Sequence, residues 1–149
     1  MMKRLRYIAL AACALTLPSC ATGYGRLGLL GGYSDSQIEP GYWRVSARTN
    51  GYSGQSSALY MALYRAAELA RAAGYTHFQV VRSNVGALPL VAGNTVSFSG
   101  GGERASFRIR GARDGSPPTA CEARQADTCR TFSVDEVIRT LGPTVNPRG

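Results

Sequence analysis

Residues Ala58 to Val81 read ALYMALYRAAELARAAGYTHFQVV. At about 100° per residue, Leu59, Ala62, Leu63, Ala66, Ala70 and Ala73 fall on one helical face, with Tyr64, Arg65, Glu68 and Arg71 opposite. The spacing predicts a helix from Gln55 to Ala73, with Ser53 or Ser56 as N-cap and Glu68 within reach of Arg65 and Arg71. Gly74 supplies the left-handed stop. Tyr75 to Ser83 then reads as a strand, with Phe78 and Val80 on one side and His77, Gln79 and Val81 on the other. The alanines let the helix lie close on a sheet.

Upstream, Tyr42 to Arg48 alternates. Trp43, Val45 and Ala47 form an apolar face, and Tyr42, Arg44, Ser46 and Arg48 a polar one. Strand, helix and strand in succession predict a parallel pair joined by a crossover. Tyr33 to Pro40 is an ordered lead-in at the edge of the domain, and Pro40-Gly41 breaks the chain before the first strand. Ala21 to Gly32 is glycine-rich and nearly uncharged, so it reads as a flexible tether. Gly23, Gly25 and Gly28 satisfy GxGxxG there, but no strand precedes them and no helix follows, so dinucleotide binding is rejected.

Downstream, Ser83 to Gly93 reads as a loop. Thr95 to Ser99 and Ala105 to Arg110 read as a hairpin around Gly100 to Gly102. Val96, Phe98, Phe107 and Ile109 point inward; Ser106, Arg108 and Arg110 point outward. Gly111 to Arg130 is a long polar loop. Ser133 with Glu136 matches a capping box, and Phe132 with Val137 a hydrophobic staple, opening a helix striped by Val134, Val137, Ile138 and Leu141. Gly142-Pro143 stops that helix and leaves a disordered tail, 143–149. The expected fold is α+β: a small mixed sheet of about four strands in the order β-α-β-β-β-α, helices on one face, as a single domain over 33–142.

The chain has 149 residues with 44% hydrophobic composition, which suits one domain with its own core. Lys3, Arg4 and Arg6 precede an apolar run from Tyr7 to Leu17, too short to cross a bilayer and typical of a secretory signal. Leu17-Pro18-Ser19-Cys20 closes that run and resembles a bacterial lipobox. The resemblance implies cleavage after Ser19, removal of 1–19, and lipidation of Cys20. Several acyl chains anchor stably, at about 0.8 kcal/mol per buried CH2. Ala21, where an inner-membrane retention signal would put aspartate, leans towards the outer membrane, facing the periplasm.

Charge and cysteine fit that compartment. The net charge is +8; without Lys3, Arg4 and Arg6, 14 bases face 9 acids, and every remaining base is arginine. Such a surface suits anionic headgroups, lipopolysaccharide, cell-wall polymers or an envelope protein, and the anchor removes it from nucleic acid. Cys13 leaves with the signal and Cys20 is acylated. Cys121 and Cys129 remain and are expected to bridge in an oxidising compartment. One histidine and no second CxxC pair argue against zinc, and no cofactor is expected.

The chain also resembles a group of small proteobacterial, mainly alphaproteobacterial, lipoproteins of unassigned function. The likeness rests on Cys20, Gly32-Tyr33-Ser34-Asp35, Tyr42-Trp43-Arg44-Val45, Arg65-Ala66-Ala67-Glu68-Leu69 and Gly74-Tyr75-Thr76-His77-Phe78, with Ile138 in a Val-Ile-x-x-Leu element. It implies location and fold and assigns no catalytic residue. Ala47-Arg48-Thr49 departs from it, since that strand usually ends more hydrophobically.

For chemistry, His77 lacks a nucleophile signature nearby, and nothing fixes the separation of Asp35 and Glu39, so an enzyme is not expected. Arg44, Arg48, Arg108 and Arg110 are the candidate anion- or partner-binding residues, sharing one open sheet face with Tyr42 if the helices cover the other. Arginine's planar fork matches phosphate and carboxylate. A non-catalytic envelope binding module is the leading expectation. An envelope stress sensor or assembly factor comes next, and a cell-wall or lipid hydrolase last.

Overall fold

The computed structural model describes residues 22–54, 56–85, 87–97, 102–121 and 128–147. Residues 1–21, which carry the expected signal and lipobox, and Gln55, Phe98, Gly100 and Gly101 lie outside them. In chain order the elements are β1 (Gly32–Glu39), β2 (Tyr42–Arg48), α1 (Ser57–Ala72), β3 (His77–Ser83), β4 (Leu90–Ala92), β5 (Thr95–Ser97), β6 (Arg104–Ala112), β7 (Arg130–Ser133) and α2 (Val134–Val145).

The α+β class holds, but the sheet has five strands in the order β1-β2-β6-β3-β7, and every neighbouring pair is antiparallel. The expected parallel pair is therefore split. β2 and β3 run the same way, yet β6 lies between them and pairs with both. The geometry accounts for this. Two strand spacings come to about 10 Å. A helix with its side chains is about 10–12 Å wide, so α1 spans the gap left for a third strand. β6 fills it with Ala105, Phe107 and Ile109 buried on the helix side.

The lead-in is itself a strand, β1, on the outer edge of β2. The expected hairpin of Thr95 to Ser99 with Ala105 to Arg110 does not form. Thr95–Ser97 turns back on Leu90–Ala92 instead, through Gly93 at φ 60°. Val96 still packs partly buried against the core.

α1 lays Ala58, Leu59, Ala62, Leu63, Ala66 and Ala70 on the sheet, all buried. Ser56 is its N-cap, without a side-chain bond. Gly74 ends it at φ 80°. Two assignments change. Ala73 is exposed, past the helix end, and Tyr64 is buried because its ring meets Tyr24 edge-on at 5.1 Å. The second shift follows from the first residues described. Thr22 to Gly31, expected as a tether, is folded onto the domain. Tyr33 N donates to Gly25 O (2.8 Å) and Leu27 N to Tyr33 O (2.7 Å), while Tyr24 packs between the Tyr33 and Tyr64 rings.

α2 packs beside α1 with Val134, Val137 and Leu141 buried. Ser133 caps it, accepting from Glu136 N. The reciprocal half of the capping box is absent because Glu136 Oε1 accepts from Gly93 N instead, at 2.7 Å. Gly142-Pro143 does not stop the helix. It continues to Val145, the proline falling in its last turn, where a missing N–H costs one bond of an already fraying ladder. The Cys121–Cys129 disulfide is formed, with Cα atoms 5.8 Å apart, just before β7. No helix among the described residues is long and apolar enough to cross a membrane.

Candidate functional site

One face of the sheet is covered by α1; the other carries the arginines. Antiparallel register fixes which side chains share a face, since directly opposed residues project to the same side about 4.5–5.5 Å apart at Cβ. In the β2–β6 ladder Arg44 stands opposite Arg108, Arg48 opposite Arg104, Ser46 opposite Ser106 and Tyr42 opposite Arg110. All four arginines singled out from the sequence are thus on the open face together, and Arg104 joins them.

A sixth arginine arrives through an irregularity. Phe78 and Val80 point into the core, so simple alternation would send Arg82 inward as well. The ladder between β3 and β6 shifts between Val80 and Arg82. Val80 and Val81 are both buried, and Arg82 pairs opposite Arg108 with its side chain exposed.

The arginines differ in their engagement. The Arg110 guanidinium lies 4.1 Å over the Tyr42 ring, which it shields from solvent. Ser46 and Ser106 share a hydrogen bond at 2.9 Å in the middle of the face. A hollow of about 370 Å³ beside them is lined by Arg44, Arg82, Arg108, Ser83 and Asn84. A second, of about 210 Å³, continues towards Arg48 and Arg104 under Leu27. No carboxylate lines either hollow among the described residues. Arg44, Arg48, Arg82 and Arg104 form no ion pair with a described carboxylate. Like charges directly opposed across a ladder are unfavourable. The sheet holds three such pairs, Arg44 with Arg108, Arg82 with Arg108 and Arg48 with Arg104, in positions where an arriving phosphate or carboxylate would be gripped from both sides.

The acidic groups are used elsewhere. Asp35 lies on the helix side of β1 and accepts from Arg65 Nε at 2.8 Å, with Arg26 at 3.7 Å. Arg65 Nη1 also reaches Glu68 at 2.9 Å. This pair is half-buried, the guanidinium side chain 19% exposed, rather than on the solvent face. Glu68 further accepts the Tyr24 hydroxyl. Burial, and then the bond to Glu68, push the Tyr24 phenol well above its ordinary pKa. Arg71 turns from Glu68 to Asp135, at 2.8 Å. Asp35 and Glu39 therefore do not face each other as a catalytic pair; Glu39 is at the exposed end of β1.

His77 opens β3, opposite Ser133. Its Nδ1 is 3.0 Å from Thr76 Oγ1, which donates to Arg113 O. Asp114 is nearby, its carboxyl held below the usual range by bonds from Ser116. Neither hollow reaches His77. The chain matches no family model, no curated protein and no solved structure.

Proposed function

We propose that the chain is a lipid-anchored protein of the bacterial envelope, attached at Cys20, whose open sheet face binds an anionic group on an envelope polymer or protein. The observation that carries the binding half is the cross-strand pairing of Arg44 with Arg108 and Arg48 with Arg104, with Arg82 beside them and no carboxylate lining the hollows between. Hydroxyl and amide groups from Ser46, Ser106 and Asn84 add donors to the guanidinium forks. The anchor half rests on the Leu17 to Cys20 motif.

Photocrosslinking in the producing cell tests the assignment of the face. A crosslinker at Ser46 is expected to capture an envelope component, whereas one at the exposed Ala72, on α1, is not. Capture from Ala72 alone would refute the sheet-face reading. Incorporation of labelled palmitate, lost on Cys20→Ala, tests the anchor separately.

A further inference from the structure

The exposed apolar side chains are not scattered. Six large hydrophobic residues are exposed among those described: Leu27, Leu29, Leu30, Ile38, Tyr52 and Leu90. Four of them, Leu27, Leu29, Leu30 and Tyr52, belong to the two turns that are tied to Thr22, where the described chain leaves towards Cys20. The linkage is explicit. Thr22 Oγ1 donates to Leu30 O at 2.6 Å and accepts from Asn50 N at 3.0 Å, and Thr22 N donates to Ser53 Oγ at 3.0 Å. The leucine turn and the Asn50–Ser53 turn are thereby tied to one point, and Leu29 is fully exposed at the tip.

The turn's construction suits an apolar medium. Gly28 N donates to Gly31 O (2.9 Å) and Gly31 N to Gly28 O (3.2 Å), so these backbone groups are satisfied before the leucines meet anything else. Gly31 has φ 106°, and a Cβ there would lie 2.3 Å from Arg48 O, so the turn is pressed against the end of β2. Arg48 and Arg104, which share the smaller hollow with Leu27, border the patch with exposed side chains; Glu103 is the acidic neighbour.

From this we infer that the Leu27–Leu30 turn and Tyr52 form a membrane-contact surface that seats the domain on the bilayer, with the leucines entering the headgroup and acyl boundary, Arg48 and Arg104 at its rim meeting anionic headgroups, and the Arg44–Arg82–Arg108 hollow left open for the envelope ligand. The occupant follows from position and charge. Thr22 is two residues from the cysteine proposed to carry acyl chains, so this end of the domain is held at the lipid surface, and the basic rim complements acidic lipid. The inference rests on the anchor reading. Its consequence is orientation: β1 runs away from the membrane and β2 returns to it, placing Ile38 about 20 Å farther out.

The test uses the full lipidated chain reconstituted in phosphatidylethanolamine–phosphatidylglycerol vesicles containing brominated lipid. Tryptophan is introduced by Leu29→Trp or, at the far end of the hairpin, by Ile38→Trp; Trp43 is buried and gives a constant background. Emission from Leu29→Trp is expected to shift to the blue and be quenched, while that from Ile38→Trp stays at background. If the vesicle-bound chain shows equal quenching at the two positions, or none at either, the seating is refuted. The same holds if Leu29→Trp is protected only by a second copy in a concentration-dependent dimer. A chain that fails to float with vesicles at all overturns the anchor reading and this one with it, so the two failures are distinguishable. A Leu29→Ser variant is expected to float equally well through its acyl chains but to lose the fixed orientation, read in the Ile38→Trp background as increased quenching by the brominated lipid.

Discussion

Arg44 and Arg108 face each other directly across the β2–β6 ladder, and Arg82 stands opposite Arg108 from the other side. Opposed like charges of this kind cost roughly 0.2–1 kcal/mol per pair. Replacing Arg44 with glutamine is therefore expected to stabilise the unliganded domain by about that amount in urea or thermal melts, while weakening binding to an anionic polymer. The binding should also weaken steeply between low and physiological salt, as the screening length falls from about 30 Å to about 8 Å. A variant that loses both stability and binding would assign Arg44 a structural role instead.

Tyr24 offers a test in alkaline solution. Its phenol is held protonated in the fold by burial and by the bond to Glu68, whereas an unfolded chain releases that proton near pH ~10. The unfolded state then binds fewer protons, so the contribution is complete below about pH 10 and is lost as pH rises beyond it. Tyr24→Phe should be less stable than the parent by about 1–2 kcal/mol at neutral pH, the bond being only half-buried. The gap should narrow above about pH 10 in denaturant titrations. A gap that stays constant would mean that the Tyr24 phenol ionises alike in the folded and unfolded chain, against the raised pKa.

The Cys121–Cys129 bridge closes a short loop just before edge strand β7. Loop-closure entropy assigns it about 2.5 kcal/mol. Reduction, or paired Cys121→Ser and Cys129→Ser replacement, is expected to lower the melting temperature by roughly 10 °C without abolishing the fold. β7 also pairs with β3 through four residues, and Phe132 stacks on Phe78 with ring centroids 5.4 Å apart.

Gly111 lies under the Tyr75 ring. A Cβ at that position would come within 2.3 Å of the ring, and Tyr75 also crowds Gly41. Gly111→Ala should cost about 1–3 kcal/mol by overpacking, measured by equilibrium unfolding. Tyr75→Ala together with Gly111→Ala should recover part of the loss, which would locate the strain in that one contact.

Much of this fold was legible in patterning. The helix–glycine–strand run, the alternation at Trp43, Val45 and Ala47, and the inward Phe107 and Ile109 all follow from periodicity. Strand order did not, because alternation carries no information about neighbours: β6 slots between β2 and β3 on account of the space beneath α1. Thr22 to Gly31 was misleading for a related reason. Its glycines suggest freedom, but Gly31 and Gly32 use positive φ to bring Tyr24 and Leu27 back onto the domain. The basic face was partly readable. Arg44, Arg48, Arg108 and Arg110 follow from alternation, and Arg104 is one step further along the same strand. Arg82 was hidden by a bulge that no local residue pattern announces.

The central claim is that these guanidinium groups bind an anion together. The direct measurement is a titration of the chain against lipopolysaccharide and cell-wall polymer, comparing the parent with a variant carrying Arg44, Arg48, Arg108 and Arg110 all changed to glutamine. An Arg44→Gln, Arg48→Gln double variant serves as an intermediate, and near-ultraviolet circular dichroism verifies the fold of each. Graded weakening in the double variant and loss of binding in the quadruple, with the fold retained, is the predicted result; undiminished binding by a folded quadruple variant would contradict it.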